Sequence, residues 1–201
     1  MTLAAAFMLS YLVGAIPTGL LIAQRVARVD VRTVGSGSTG ATNVTRAAGW
    51  GAGLVVFLLD AGKGLLAALV IAPILVPAAT PAVRLACGLF AVVGHVAPVF
   101  LGFKGGKGVA TTIGTLAGAS PMLAAVYLAV WGICFAVWRF VSVGSIVAAA
   151  SLPMAQALLG RPGREIVLGG LLALLIIVRH RANIDRLLRG TEHRAGSAKS
   201  S

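Results

Sequence analysis

The sequence predicts an all-α integral membrane protein of about seven transmembrane helices, and three observations carry that prediction. Hydrophobic residues fill 58% of the 201 positions and charged residues only 11%, against about 25% charged in soluble domains. Apolar stretches recur along the whole chain at lengths close to the ~20 residues that a helix needs to cross a bilayer. The polar residues gather between those stretches, and their charge is one-sided, with 17 Lys and Arg against 5 Asp and Glu. Loops of that kind attract acidic lipid headgroups and anionic ligands.

The apolar spans fall near 3–23, 53–76, 82–101, 109–120, 122–138, 142–159 and 165–179. The first has no positively charged region before it and runs long for a signal peptide, so it reads as a retained helix. The stretch 109–138 is too long for one helix and too short for two full ones, and Pro121 after Ser120 supplies the break. If both halves cross, Arg25, Arg28, Arg32, Arg46, Lys104, Lys107, Arg139, Arg179, Arg181, Arg186, Arg189, Arg194 and Lys199 share one face, and Arg84, Arg161 and Arg164 the other. The positive-inside bias then puts the N-terminus outside and the C-terminus in the cytoplasm. A single crossing would carry Arg139 and the basic tail outside, so two short helices are expected.

No repeat of fixed period appears, nor the paired broken helices of transporters. The expected organisation is one polytopic domain over residues 1–190 and a disordered basic tail over 191–201. Cys87 and Cys134 sit inside apolar runs in no ligand spacing, which makes them small buried hydrophobes rather than a disulfide or a metal site. Nucleic acid is a poor partner for basic residues scattered over short loops with little aromatic interleaving.

Against this apolar background the stretch Gly35 to Arg46, GSGSTGATNVTR, is an anomaly. Gly35, Gly37 and Gly40 allow positive φ and close approach of the backbone. Ser36, Ser38, Thr39, Thr42, Asn43 and Thr45 supply short polar groups, and Arg46 adds a planar cation suited to phosphate or carboxylate. Tight helix packing would explain the glycines. It does not explain a polar run that ends in an arginine, which reads as an anion cradle.

Three further clusters fall on the same predicted side. His95 is followed by Pro98 and the loop Phe103 to Gly108, with Lys104, Gly105, Gly106 and Lys107. Positive-inside anchoring would account for the lysines but not for bare backbone around them. The spacing is not that of a Walker loop, because Gly108 stands where Ser or Thr should hold magnesium. Asp60 and Lys63, spaced i, i+3 within the second span, are expected to pair as structural intramembrane charges. His180 to Asn183, with Arg186, closes the last span. An intramembrane histidine such as His95 invites a functional reading, since the bilayer offers few other reasons to keep one.

GSGSTGATN…R at 35–46, DAGKG at 60–64, GHVAPVFLGFKGGKGVAT at 94–111 and HRANIDRLLRGTE at 180–192 resemble, in order, the signature blocks of the bacterial acyl-phosphate:glycerol-3-phosphate acyltransferase family of PlsY type. The chain departs from the family at Ser38 and Thr39, where Asn and then Pro or another apolar residue are usual. The resemblance implies a seven-helix enzyme of the bacterial inner membrane, its active site facing the cytoplasm. Such an enzyme moves a fatty acyl group from acyl phosphate to the 1-hydroxyl of glycerol 3-phosphate to give lysophosphatidic acid. It uses neither acyl-CoA nor acyl carrier protein directly. Its partners are acyl phosphate, glycerol 3-phosphate and membrane lipids, with no cofactor, metal, nucleic acid or obligatory protein partner.

A mixed anhydride releases an anionic leaving group, so charge stabilisation and placement matter more than an acyl-enzyme nucleophile. Arg46, Lys104, Lys107 and His180 are then expected on substrate phosphates. Ser36 and the amides around Gly35 and Gly37 are expected at the acyl-phosphate carbonyl, with Thr42, Asn43, Gly105 and Gly106 completing the binding set. His95 and Asn183 would orient the attacking hydroxyl, and His95 is the one evident side-chain base. The substrate's own phosphate is the alternative base. His180 and Asp185 reproduce an H-x-x-x-x-D spacing, but i to i+5 on a helix lie about 140° apart and make no dyad. An anion transporter would need charges at mid-membrane depth on several helices, where only Asp60 and Lys63 qualify. A non-catalytic lipid-binding subunit would not need the His and Asn set.

Overall fold

The structure, a computed structural model, describes residues 2–196. Among them every regular element is helical, and the chain divides into two compact units, Met1–Pro121 and Met122–Ser201.

In the first unit α1 (Leu3–Ala15) and α2 (Thr18–Ala27) form one apolar segment interrupted at Ile16 and Pro17. Pro17 lacks an N–H and pushes Ile16 out of helical geometry, to φ −56°, ψ 123°. A 3₁₀ turn over Val31–Thr33 follows, its start capped by Asp30. Hydrogen bonds from the Arg32 side chain hold the Asp30 carboxyl down to about 2. α3 (Ala41–Ala48) then leads through Gly49 into α4 (Trp50–Leu66), which runs on through a π turn, Ala67–Ile71, into α5 (Ala72–Leu75). Pro73, unable to donate to the preceding turn, accounts for that widening.

α6 (Pro81–Val96) opens with Pro81 at its first position and the Thr80 hydroxyl accepting from the Val83 N–H. α7 (Val109–Ala119) follows Gly108. Helices approach through small residues: Gly14 meets the Ala91 carbonyl and Gly94 the Tyr11 carbonyl where α1 packs on α6. Gly64 meets Thr111 and Gly114 meets Ala61 between α4 and α7. In lipid such close packing substitutes for the missing hydrophobic drive between helices.

The second unit holds α8 (Pro121–Trp138), α9 (Val141–Leu158), α10 (Gly163–Arg179) and α11 (Arg181–Leu188). The Trp131 indole N–H reaches Ser145 Oγ at 3.3 Å, joining α8 to α9. Fully buried Gln156 donates to the Glu165 carbonyl at 2.9 Å, joining α9 to α10.

The helices follow the predicted spans closely, and the break at Pro121 is real: α7 stops at Ala119 and Ser120 is extended. Five segments, Leu3–Ala27, Trp50–Leu75, Pro81–Leu101, Pro121–Trp138 and Val141–Leu158, are long and apolar enough to cross a membrane. α7 is apolar but has 11 residues, about 16 Å at the helical rise, and α10 has 17. Met8, Leu58, Ile133 and Val167 are each 59–65% exposed on the helix exteriors, as lipid-facing side chains should be. Cys87 and Cys134 are buried thiols.

Part of the expected tail is tied down. Glu192 accepts from Ser142 Oγ at 2.8 Å, Asn183 Nδ2 at 2.6 Å and Arg186 Nε at 2.7 Å. The Ala195 N–H donates to the Arg139 carbonyl at 2.8 Å. The remainder of that tail, 197–201 with Lys199, lies outside the described residues.

Candidate active site

The polar run after α2 is a short loop followed by a helix. Gly35 and Gly37 take φ of 57° and 67°, as their residue type predicts. Gly40 instead is extended, at φ −76°, ψ 160°, and stands at the N-cap of α3. Thr42, Asn43, Thr45 and Arg46 are therefore helical residues, and Thr45 bonds back to the Ala41 carbonyl.

Asn43, expected among the ligand contacts, is 2% exposed and turns its whole amide inward. Its Nδ2 reaches the carbonyls of Val31, Val34 and Ser38, each at 2.9 Å, and its Oδ1 accepts from the Ser36 N–H at 3.0 Å. The Gly37 N–H donates to the Val34 carbonyl at 3.0 Å. The amides of Ser36 and Gly37, expected at the acyl-phosphate carbonyl, are thus engaged inside the turn. What the loop exposes are the Ser36 and Thr42 side chains and the Arg46 guanidinium. The stem of Arg46 runs beside Gly35, and no carboxylate of the described residues pairs with its head.

The departures at Ser38 and Thr39 fit this turn. Ser38 Oγ accepts from the Gly40 N–H at 3.3 Å. Thr39 is 5% exposed, and its carbonyl lies against Gly19 of α2, where no Cβ would fit. Thr39 also lines a small pocket with Ile16, Pro17, Thr18, Lys63 and His95. That pocket brings the first polar block next to the second and third.

Lys63, part of that lining, pairs with Asp60 at 2.7 Å, as their i, i+3 spacing predicts. Lys63 Nζ also donates to the Ile16 carbonyl at 2.7 Å and to Thr18 Oγ1 at 2.8 Å, so its three protons meet three acceptors. Thr18 donates to Asp60 Oδ1 at 2.6 Å, and His95 Nδ1 lies 3.4 Å from the same oxygen. Sequence reasoning missed Thr18 and the approach of His95. The available signal was Pro17 inside an apolar span, which strips a helix of partners for its carbonyls and calls for a donor nearby.

His95, 7% exposed, ends α6 with its Nε2 edge against the Gly106 backbone, which leaves no space for a Cβ there. The Lys loop folds back on that helix end: Gly105 N–H donates to the Val96 carbonyl and Gly106 N–H to the His95 carbonyl, both at 3.1 Å. The bare backbone at 105 and 106 serves this fit. Lys104 is exposed and Lys107 half-buried.

In the second unit His180, 3% exposed, sits at the junction of α10 and α11 with Nδ1 2.8 Å from the Ile176 carbonyl, which makes that nitrogen the donor. Asn183, 5% exposed, gives its amide to Glu192, a residue the sequence reading left in the tail. Burial raises the Glu192 carboxyl, but the bonds from Asn183, Ser142 and Arg186 outweigh it and hold it below the ordinary range. Asp185 pairs with Arg189 at 3.0 Å on the exposed face of α11. It makes no dyad with His180, as the helical spacing predicts. Among the described residues no cluster of His, Cys, Asp and Glu could hold a metal.

A profile of the family described as Glycerol-3-phosphate acyltransferase matches residues 4–190. A glycerol-3-phosphate acyltransferase of Desulforudis audaxviator is 47% identical over 186 residues, 92% of each chain. One of Gloeobacter violaceus is 46% identical over 188 residues, 93% of this chain and 92% of its own. The crystal structure of PlsY (YgiH), an integral membrane glycerol 3-phosphate acyltransferase, in its glycerol 3-phosphate form matches with a TM-score of 0.90 at 43% identity, over 98% of this chain and 96% of that one. The lysophosphatidic acid form gives 0.88 at 42%.

Proposed function

Because the chain belongs to the glycerol-3-phosphate acyltransferase family, we propose that this membrane acyltransferase takes its acyl group from acyl phosphate and delivers it to the 1-hydroxyl of glycerol 3-phosphate. The observation that carries the reading is the Gly35–Arg46 block, which engages the Ser36 and Gly37 amides internally, exposes the Ser36 hydroxyl and an Arg46 guanidinium with no carboxylate partner among the described residues, and lends Thr39 to the pocket of His95. That is a surface for phosphate-bearing substrates, and the two PlsY structures are a glycerol 3-phosphate form and a lysophosphatidic acid form.

The hydroxyl oxygen of the acceptor attacks the acyl carbon, and the bond from that carbon to the bridging phosphate oxygen breaks. Inorganic phosphate leaves as an anion, so the reaction needs neither an acyl-enzyme nor a strong acid. Arg46, Lys104, Lys107 and His180 bind the phosphate groups, Arg46 through two parallel N–H donors. The Ser36 hydroxyl holds the acyl-phosphate carbonyl as charge grows on its oxygen. His95 and Asn183 orient the attacking hydroxyl, whose proton passes to His95 or to the acceptor's own phosphate. Asn43 and the glycines at 35, 37, 105 and 106 shape the two loops, and Thr42 borders the first.

Seven apolar helices, an outside N-terminus and a cytoplasmic C-terminus follow from the charge bias of the loops, with the site facing the cytoplasm of a bacterial inner membrane. Residues 1–190 act as the catalytic domain. The test uses purified protein with acyl phosphate and glycerol 3-phosphate and no other protein. Acylated product is expected, and none when acyl-CoA replaces acyl phosphate. Folded protein that makes no product from acyl phosphate would move the reading to anion transport.

A further inference from the structure

An ion pair with Lys63 explains a carboxylate buried in a membrane helix, but it does not explain the company Asp60 keeps. Asp60 is 1% exposed, and its Oδ1 gathers Thr18 of α2 at 2.6 Å, Lys63 of its own helix at 2.7 Å and His95 of α6 at 3.4 Å. Lys63 already has acceptors in Ile16 and Thr18. A histidine whose only task was to fill space would have no need to bring Nδ1 to the one carboxylate in its surroundings. Its opposite edge, Nε2, lies on the Gly106 backbone in the loop that carries Lys104 and Lys107.

We infer that Asp60 is the positioning residue for His95: by accepting from Nδ1–H it selects the tautomer whose lone pair is on Nε2 and holds the ring toward the Lys104–Lys107 loop, while Lys63 and Thr18 fix the carboxylate. Which nitrogen of a neutral imidazole carries the proton is set by the partner of the other one. A carboxylate behind a histidine works in this way without itself taking up the proton. The 3.4 Å separation is long for a finished hydrogen bond, and contacts of this kind tighten when substrate fills the site. The inference rests on the placement of His95 at the reaction centre, and its test separates the two.

The whole protein is labelled with ¹⁵N-histidine, in bilayer discs, and the His95 tautomer is read by NMR above the titration of the ring. The Nδ1–H form is expected; a dominant Nε2–H form in the unaltered protein overturns the inference without any variant. Asp60→Asn should shift the population toward Nε2–H and lower kcat by on the order of ten- to a hundredfold, with the KM for glycerol 3-phosphate changed less.

His95→Gln and the double variant complete the cycle. If Asp60 acts through His95, adding Asp60→Asn to His95→Gln costs no further activity. A full additional loss would make Asp60 only the partner of Lys63. If His95→Gln alone keeps wild-type kcat, the placement of His95 in the reaction fails, and the tautomer still decides the pairing. Should Asp60→Asn not fold because Lys63 is left alone, Asp60→Asn with Lys63→Met removes both charges, and the same comparisons are made on that background.

Discussion

Asn43 Oδ1 accepts the Ser36 N–H at 3.0 Å across seven positions of chain, so the residue that presents the hydroxyl is set by a side chain buried in the helix behind it. The same amide anchors three carbonyls of the preceding turn. Asn43→Asp keeps the acceptor and replaces the donor by an oxygen facing those carbonyls. Leaving such groups unpaired costs about 1–3 kcal/mol each. The melting temperature should fall by several degrees and activity by about tenfold or more. Unaltered melting and turnover would show that the turn holds without its staple.

Arg46 is exposed, lies along Gly35 and has no carboxylate partner among the described residues. Lysine retains the charge but not the paired donors. Arg46→Lys should raise the KM for a phosphate-bearing substrate about tenfold or more, on the order of 1.4 kcal/mol of lost binding. Steady-state kinetics with each substrate varied in turn would also reveal which phosphate it holds. Kinetics indistinguishable from wild type would remove Arg46 from the site.

Gly106 offers a way to disturb His95 without changing it, since an added Cβ would meet Nε2. Backbone at that point is held by the 3.1 Å bond to the His95 carbonyl, so the ring must yield. Gly106→Ala is expected to lower kcat by at least about tenfold while leaving the protein helical by circular dichroism. The control is Gly102→Ala, where no atom lies near the would-be Cβ and only the positive φ resists. Equal losses from the two would mean that disturbing the loop, and not the ring of His95, is responsible.

Glu192 should make stability pH-dependent in a definite direction. Its carboxyl is held below the ordinary value of ~4.3 by the bonds that outweigh its burial. A group with a lowered folded value contributes fully above the unfolded one, and that contribution is lost as pH falls through the folded value. Melting temperature in detergent should therefore drop below about pH 4 by more in the wild type than in Glu192→Gln. At neutral pH Glu192→Gln should cost about 1.5–3 kcal/mol, the range for a hydrogen bond to a charged group. Parallel pH profiles would exclude this carboxylate as the source.

The helical architecture was legible because lipid imposes a length and an apolarity that a chain cannot disguise. The break at Pro121 was legible because proline chemistry is local, and the pairing of Asp60 with Lys63 because both lie on one helix. The polar, turn-forming character of Gly35–Arg46 could be read from residue types, but the inward turn of Asn43 could not. Whether an amide faces ligand or its own backbone depends on where Val31 and Val34 fold. His95 meeting Asp60, and Glu192 meeting Ser142, join residues far apart in sequence, and no periodicity reports them. Glu192 was hidden further by its polar, glycine-flanked setting, which has the composition of a free end.

The interruption at Ile16 and Pro17 also bears on how the chain enters its membrane. The carbonyl that receives Lys63 lies in the first hydrophobic segment, and Lys63 itself in the second. In the order of synthesis the acceptor is therefore delivered before the donor needs it, and the charged helix can be inserted beside a partner already waiting. A chain begun after α2 would leave Lys63 with Asp60 alone, with neither Ile16 nor Thr18 to receive its other protons, and α4 would insert at a greater cost.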